Sequence, residues 1–342
     1  MNNLTDSFLN RLLLVRESNI PARVIAQAEL CLVDYIGAAL AGARMMKCTG
    51  KRYLRLLQKN TGPATVIGSG CKADIYTAIL VNGTNAHATE LDDGHRLGML
   101  HPGVPVITPL LALAEAEKIK ARDFFTGVIV GYEAAVELAR LVQPSHREKG
   151  YHATGTCGTI GAAMGISAAL NLSREQTKAA LSAAVMSASG ILEMQEDDST
   201  LKPYSAGRAA LSGFISAFIG RSGALGPQDI LGGKRGFLAT MASLDIPQYK
   251  GKPSNTFAIE EIYRKLYASC RHSHSAIEAA LLIREKHKNI KHEVDTINVY
   301  TYRSAIAGHD HKTIQGISSA KMSIPFSVAV ALTVGRAGVM EF

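Results

Sequence analysis

The sequence predicts a mainly α-helical protein that is all-helical to about residue 250 and mixed α/β from about residue 255. Long apolar stretches with helical periodicity fill the first part and are separated by short polar turns. Aromatic residues make up only 6% of the chain and tryptophan is absent, so the core must be built from aliphatic side chains, alanine and glycine. Small residues let helices approach closely, which favours a tightly packed helical domain.

Length and charge limit the class of protein. A chain of 342 residues with 47% hydrophobic and 19% charged residues is long enough for one large globular domain or two ordinary ones. The formal net charge is +8, but the basic residues are scattered and no nucleic-acid-binding motif accompanies them. A basic surface that attracts small polyanionic substrates explains this charge at least as well. We therefore expect no nucleic-acid partner.

Cysteine usage and the N-terminal sequence predict a cytoplasmic protein. Five cysteines, at positions 31, 48, 71, 157 and 270, show no CxxC spacing, which fits a reducing compartment. The first 21 residues lack the basic-then-apolar pattern of a signal peptide. Because no segment has about 18 uninterrupted apolar residues, we expect no membrane span.

Periodicity and turn residues place the elements along the chain. Helices are predicted over residues 5–15, 22–43, 52–59, 75–88, 109–119, 121–141, 159–170, 173–186 and 206–222, with a brief extended piece at 64–66. In the C-terminal part, helices are predicted over 276–287 and after Pro325, and residues 294–302 (VDTINVYTY) alternate as a strand does. Neither GxGxxG after a strand nor GxxxxGKS/T is found, which argues against a nucleotide site.

The segment at 87–107 (HATELDDGHRLGMLHPGVPVI) interrupts the apolar helices. It combines three histidines with acidic residues at positions 90, 92 and 93, and its Pro102–Gly103 pair is predicted to stop regular structure. Buried acidic and imidazole groups are unfavourable unless paired, and such placement shifts pKa values for acid–base chemistry. Taken alone, the segment is equally well interpreted as a helix-capping and salt-bridge cluster around Asp92, Asp93, His95 and Arg96.

Three further polar segments, at 152–156, 202–208 and 265–274, also join or cap predicted helices. Together with the first, they supply the groups that proton abstraction next to a carboxylate requires. One base takes the proton, one acid assists the leaving group, and cations hold the substrate carboxylates and stabilise the developing charge. Ordinary structural roles remain the alternative. His152 would then be a satisfied loop histidine, Lys202 a surface lysine, and residues 271–274 a solvated loop.

No metal site is predicted, although two histidine pairs suggest one. They are the H-x-H at 272–274 and the HDH at 309–311, and neither has further ligands at a recognisable spacing. Cys157 and Cys270 are interpreted as packing or polar-lining residues rather than nucleophiles.

Seven segments in a fixed order resemble the MmgE/PrpD family, which includes 2-methylcitrate dehydratase, cis-aconitate decarboxylase and iminodisuccinate epimerase. The segments are LVDYIGAALAG at 32–42, HATELDDGHR with HPG at 87–103, YHATGTCGTIGAA at 151–163, KPYSAGRAA at 202–210, GGKRGFLATMA at 232–242, YASCRHSHSAIEAAL at 267–281 and AKMSIPFSVAVAL at 320–332. The resemblance runs from about residue 7 to about residue 335, which makes it specific.

The resemblance implies a domain organisation and a chemistry. Residues 1–253 would form a large all-helical domain and residues 254–342 a smaller α/β lid domain, with the site between them. It also implies a homodimer and cofactor-independent chemistry on a di- or tricarboxylate. Because family members generally continue further, the lid domain is expected to be incomplete.

By position in these motifs, the resemblance implies catalytic roles for Asp93, His101, His152 and Lys202. One of the two histidines is expected to be the general base or acid, and Lys202 to hold a substrate carboxylate. Substrate binding is expected of Asp92, Arg96, Lys265, Arg271, His272 and His274.

The expected activity is that of a carbon–oxygen lyase resembling 2-methylcitrate dehydratase of propionate metabolism. Decarboxylation or epimerisation of a related polycarboxylate stays open, as does a truncated, non-catalytic family member. Two departures from the family pattern bear on this choice. Gly94 stands where many members have a threonine, and Ser205 stands near the place where a histidine can follow the lysine–proline pair in the decarboxylase-like pattern.

Overall fold

The computed structural model describes residues 3–46, 61–196, 199–243, 256–287 and 290–342. Helices dominate these residues, and the strands among them form one antiparallel pair, β1 (Ala64–Val66) with β2 (Cys71–Ala73). The predicted mainly α fold class is therefore confirmed. The predicted helix at 52–59 lies outside the described residues.

The chain divides into two compact units, of which the N-terminal unit comprises Met1–Ala88, Asp92–Glu193 and Lys202–Arg264. A short 3₁₀ turn, Ala258–Glu261, lies near its end. Its helices are α1 (Leu4–Glu17), α2 (Ala22–Met45), α3 (Ile75–Ala88), α4 (Gly103–Glu117), α5 (Ala121–Val142), α6 (Ser145–Glu148), α7 (Ala153–Ala169), α8 (Arg174–Ser187), α9 (Lys202–Arg221) and α10 (Phe237–Met241).

Helix α7 is the centre of the N-terminal unit, and every one of its residues is buried. Glycines let it pack directly against α5. A Cβ atom added at Gly161 would lie 2.7 Å from the Ala135 Cβ and 2.8 Å from the Gly131 carbonyl oxygen. Such distances are shorter than side-chain contacts allow, so only glycine fits there. The close helix packing expected from the composition is confirmed at this crossing.

Three helices begin earlier than periodicity predicts, and each begins at a polar segment. Helix α4 starts at Gly103, so the prediction that Pro102 and Gly103 stop regular structure is wrong. Pro105 lies in its first turn, where a missing N–H costs nothing. Helix α7 starts at Ala153 and α9 at Lys202. The polar segments are therefore helix N-termini rather than long loops.

The second unit comprises Thr89–Leu91, Met194–Leu201 and Lys265–Phe342. Its small core joins Ile277 and Ala280 to Val328 and Ala331. After a 3₁₀ turn at Arg271–Ser273, its helices are α11 (His274–Lys286), α12 (Ile290–Glu293), α13 (Arg303–Ile306), α14 (Ile317–Met322) and α15 (Ile324–Val334).

The strand predicted at residues 294–302 is wrong, because these residues adopt no regular secondary structure. They have a strand-like alternation, but no partner strand pairs with them in the part of the chain that the structure describes. Tyr300 is 94% exposed, so the alternating side chains lack a surface to cover. An isolated extended segment is not stable as a strand without partners.

Helix α2 is long and apolar enough, by length and composition, to cross a membrane. Glu29 and Asp34 interrupt its apolar run, so the sequence contains no unbroken apolar stretch there. Core helices of soluble proteins pass the same test, which makes this weak evidence for a membrane span.

Candidate active site

The candidate site is built around a buried pair, His87 and Asp92. His87 lies in the last turn of α3, and Asp92 lies in the polar segment that follows. The His87 Nδ1 is 2.7 Å from the Asp92 Oδ2, and the two residues are 0% and 1% exposed. Because a carboxylate accepts, Nδ1 carries the proton and the neutral ring has its lone pair on Nε2. That Nε2 is buried and has no hydrogen-bond partner in the described part of the chain.

His101 lies beside this pair and precedes α4. Its ring makes an edge-on contact with the His87 ring, with 5.0 Å between centroids. Its Nδ1 lies 2.7 Å from the Asp93 carbonyl oxygen and 3.5 Å from the Asp92 Oδ2. Since a carbonyl only accepts, Nδ1–H donates and the Nε2 of the neutral ring is left as a base. The side chain is 15% exposed, which gives solvent access that the buried His87 lacks.

His152 completes a group of three imidazoles. It is the N-cap residue of α7, and its ring centroid lies 6.3 Å from that of His87. Its Nδ1 is 3.2 Å from the Ser205 Oγ, so α9 contacts this histidine directly. Lys202 begins α9 three residues before Ser205, a spacing that places both on one face of the helix. The half-buried Lys202 thus lies one turn from the His152 contact.

Asp93 anchors the polypeptide around His101. Its Oδ1 accepts from the Gly103 backbone N–H at 3.0 Å, and its Oδ2 accepts from the Tyr132 hydroxyl at 2.5 Å. Burial raises the pKa of Asp93 to about 7, although the Tyr132 hydrogen bond opposes this shift. Both oxygens are held by protein groups, so the carboxylate fixes the start of α4 and the carbonyl fixes the His101 ring.

His95 forms a salt bridge with Glu261, as the structural interpretation of the acidic segment predicts. Its Nδ1 accepts from the Gly98 N–H at 3.0 Å, so its Nε2 carries the proton that reaches Glu261 at 3.0 Å. Arg140 binds the same Glu261 oxygen at 2.9 Å. Arg96 next to it is exposed and lies on the surface of the segment.

In the second unit, Lys265 forms a buried ion pair. Its Nζ lies 3.0 Å from the Glu90 Oε2, and the two side chains are 1% and 6% exposed. Glu90 has a positive φ of 56°, which non-glycine residues rarely adopt. Substrate binding by Lys265 would have to compete with this carboxylate. The Lys265 role stays a prediction.

The remaining predicted binding residues differ in their protonation and exposure. Arg271 is exposed, and the His272 Nδ1 lies 2.6 Å from the Tyr302 hydroxyl. His274 is buried, and burial together with the positive charges of Lys265 and Arg271 lowers its pKa to about 4. His274 is therefore neutral at neutral pH, so it cannot hold a substrate carboxylate as a cation.

The structure thus brings three predicted residues, Asp92, His101 and His152, together around His87. Sequence reasoning assigned no role to His87. Its signal was a histidine in the last turn of an apolar helix, five residues before Asp92. The arrangement places proton-transferring imidazoles next to one another in a largely water-excluded environment, which suits general acid–base chemistry. The same cluster is also a candidate metal site, because donor atoms of His87, Asp92 and His101 all lie within 4.8 Å of one another.

The chain belongs to the MmgE/PrpD family. Residues 12–250 match the MmgE/PrpD N-terminal domain and residues 267–342 match the MmgE/PrpD C-terminal domain. These two matches cover both structural units and confirm the resemblance seen in the sequence motifs.

Curated relatives are cis-aconitate decarboxylases and similar proteins. The cis-aconitate decarboxylase-like protein oryM of Aspergillus oryzae is 27% identical over 293 residues, which cover 81% of this chain and 61% of that protein. Cis-aconitate decarboxylase of Aspergillus terreus is 25% identical over 342 residues, 92% of this chain and 68% of that enzyme. The human enzyme of the same name is 27% identical over 250 residues, 71% of this chain and 51% of its own length. The chain therefore spans about three fifths of the first of these relatives.

Proposed function

We propose that this protein is a cofactor-independent lyase that acts on a di- or tricarboxylate by proton transfer next to a carboxylate. The observation that carries the proposal is the orientation of His101. The Asp93 carbonyl oxygen accepts a hydrogen bond from the His101 Nδ1–H. In this orientation Nε2 is the basic nitrogen of a ring that is partly open to solvent. Family membership and the names of the curated relatives support the lyase class.

In this proposal the two histidines divide the acid and base roles. His101 accepts or delivers a proton through Nε2, and His152, supported by Ser205, serves as the partner acid or base. Lys202 holds a substrate carboxylate from the start of α9, where the helix N-terminus also favours an anion. Asp92 and His87 form a buried hydrogen-bonded pair that fixes the positions of these rings.

Among lyase reactions, decarboxylation of a cis-aconitate-like tricarboxylate is the first candidate, because the Aspergillus terreus and human relatives are both named cis-aconitate decarboxylase. In such a reaction the bond to one carboxylate breaks, carbon dioxide leaves, and the electron pair stays on the substrate carbon framework. A protonated histidine then delivers a proton to that framework. Dehydration of a 2-methylcitrate-like substrate and epimerisation also pass through a carbanion next to a carboxylate, so the same site serves them.

Proton NMR in D₂O tests the proposal with 2-methylcitrate, citrate, cis-aconitate and iminodisuccinate as substrates. We expect solvent deuterium to appear next to a carboxylate of at least one of them, and the product identifies the reaction. His101→Asn keeps a donor near the Asp93 carbonyl but lacks Nε2, so it should lower the rate by about 10²–10⁴-fold. His311→Asn in the second unit is the control and should leave the rate unchanged.

Two results would contradict the proposal. The first is a folded wild-type protein that exchanges no deuterium with any of the four substrates, which would favour a non-catalytic family member. The second is a His101→Asn variant as active as the wild type, which would remove His101 from the reaction.

A further inference from the structure

We propose that Cys270 and His309, both in the second unit, form a nucleophilic thiol–imidazole pair whose sulfur is oxidised by small peroxides. The Cys270 Sγ lies 3.3 Å from the His309 Nε2, within reach of a hydrogen bond to sulfur. The thiolate is the nucleophilic form of cysteine, and a neighbouring imidazole that takes up the thiol proton produces it. The sequence interpretation of Cys270 as a packing or polar-lining residue did not foresee this contact, because His309 lies far along the chain.

The His309 ring is oriented as a base. Its Nδ1 lies 2.9 Å from the Ala307 carbonyl oxygen. Because a carbonyl only accepts, Nδ1 carries the proton of the neutral ring, and the lone pair is on Nε2, the nitrogen next to the sulfur. The Cys270 thiol therefore donates its S–H to Nε2. A nucleophile, a base within hydrogen-bond reach and a third group that orients the base together form the arrangement of an activated thiol.

Backbone hydrogen bonds hold both members of the pair in place. The Cys270 N–H donates to the Lys321 carbonyl oxygen at 2.9 Å, and the Cys270 carbonyl oxygen accepts from the Ser273 N–H at 3.0 Å. The His309 carbonyl oxygen accepts from the Ile324 N–H at 2.8 Å. The sulfur and the imidazole are therefore positioned by ordered backbone before any reagent arrives.

The two side chains differ in their access to solvent. His309 is only 7% exposed, and the His272 ring makes an edge-on contact with it, with 5.0 Å between centroids. Cys270 is half-buried, whereas Cys157 in the N-terminal unit is fully buried. The base is thus largely shielded from water, while a molecule as small as hydrogen peroxide reaches the cysteine.

The oxidation step uses both members of the pair. The thiol proton passes to the His309 Nε2, and the thiolate sulfur attacks one oxygen of hydrogen peroxide. An S–O bond forms as the O–O bond breaks, and the departing hydroxide takes the proton from the imidazolium and leaves as water. The sulfur is oxidised to sulfenic acid and the peroxide, which is the oxidant, is reduced.

This modification site goes beyond the proposed lyase function and does not depend on it. Oxidation of Cys270 is measured on the full chain without any polycarboxylate substrate. Failure of the thiol–imidazole pair and failure of the lyase proposal are therefore distinguishable.

Peroxide oxidation of the full chain tests the proposal, with dimedone present to trap sulfenic acid and peptide mapping by mass spectrometry to locate it. The reaction is run at pH 6.5, where an ordinary thiol with a pKa of about 8.5 is only about 1% thiolate. We expect Cys270 to react at least about 10-fold faster than Cys71. Cys71 is the internal reference, because it is exposed and its Sγ lies 2.9 Å from the Ser69 hydroxyl rather than from an imidazole.

A variant of the base separates activation from simple exposure. His309→Gln keeps a polar side chain next to the sulfur but has no basic nitrogen, so it should lower the Cys270 oxidation rate by at least about 10-fold. His311→Asn is the matched control. His311 lies two residues away in the same unit, its Nε2 is 2.9 Å from the Ser319 carbonyl oxygen, and its replacement should leave the rate unchanged. Circular dichroism shows whether each variant is folded.

Iodoacetamide alkylation gives a second readout that needs neither the oxidant nor dimedone, and it should show the same order of rates. Two results would overturn the proposal. One is a folded His309→Gln variant in which Cys270 reacts as fast as in the wild type. The other is a wild type in which Cys270 reacts no faster than Cys71, a comparison that holds even if His309→Gln does not fold.

Discussion

The Tyr263 ring occupies the space that a side chain at position 94 would need. Gly94 and Tyr263 exchange both backbone hydrogen bonds at 3.0 Å, and a Cβ added at Gly94 would lie 2.5 Å from the Tyr263 Cζ. The absence of a side chain at position 94 is therefore matched to the residue across the bridge.

Gly94→Ala should destabilise the protein by about 1–3 kcal/mol, because the new methyl group and the Tyr263 ring cannot both fit. Urea denaturation measures the change. Gly37→Ala is the control, since a Cβ there meets nothing within 4 Å and alanine is the better helix former. If the steric explanation is right, the Gly94→Ala/Tyr263→Ala double variant loses less free energy of unfolding than the two single variants lose in sum. Additive losses would show that the two residues are not coupled.

The buried ion pair between Glu90 and Lys265 gives a second prediction. Lys265→Met should cost about 3–5 kcal/mol, because it leaves the Glu90 carboxylate buried without its lysine. The Glu90→Gln/Lys265→Met double variant should recover much of this loss, since no charge is then buried. Denaturation curves of the single and double variants check both statements. A Lys265→Met variant as stable as the wild type would mean that the pair does not form.

Parts of the site were predictable from the sequence because they lie in recognisable polar segments. His101 and His152 follow this rule, and the structure brings both to one cluster. His87 begins the 87–107 segment but received no role, because its role depends on the path of the chain that returns Asp92 to it. Burial decides such cases, and burial depends on tertiary packing rather than on local pattern.

Secondary structure also depends on tertiary packing that the local sequence pattern does not show. Residues 153–158 (ATGTCG) are rich in threonine and glycine, which favours a turn, yet they form the first turns of α7 because they are buried against neighbouring helices. Tertiary packing outweighs local propensity there. At 294–302 the opposite holds, because a strand-like pattern without a partner in the described chain does not form a strand.

The cysteines should differ sharply in reactivity. Burial raises the pKa of the Cys157 thiol to about 12, and Cys71 is exposed. At pH 8 the thiolate fraction of Cys157 is then about 1 in 10,000, so iodoacetamide should label Cys71 in the native protein and Cys157 only after unfolding. Peptide mapping by mass spectrometry separates the two sites. Labelling of both at the same rate in the folded protein would show that α7 is not packed as described.

Asp93 should make stability depend on pH near neutrality. Its pKa is raised from about 4 in the unfolded chain to about 7 in the folded protein, mainly by burial. The folded state therefore favours the protonated form, and this contribution is fully present below pH 4 and is lost as the pH rises through 7. Between pH 5 and pH 8 the stability of the wild type should fall by about 2–3 kcal/mol through this group alone.

Asp93→Asn removes that dependence while an amide can still accept from Gly103 and donate to Tyr132. We therefore expect the wild type to lose stability relative to Asp93→Asn between pH 5 and pH 8 in urea denaturation. Asp229→Asn is the control, because the pKa of Asp229 is shifted in the opposite direction to that of Asp93. Burial alone would raise the pKa of Asp229, but hydrogen bonds from Thr5 and Gly232 lower it. The stability that Asp229→Asn loses relative to the wild type should therefore stay constant from pH 5 to pH 8. A wild type and an Asp93→Asn variant that stay parallel from pH 5 to pH 8 would show that Asp93 is ionised throughout, and that Tyr132 and Gly103 outweigh its burial.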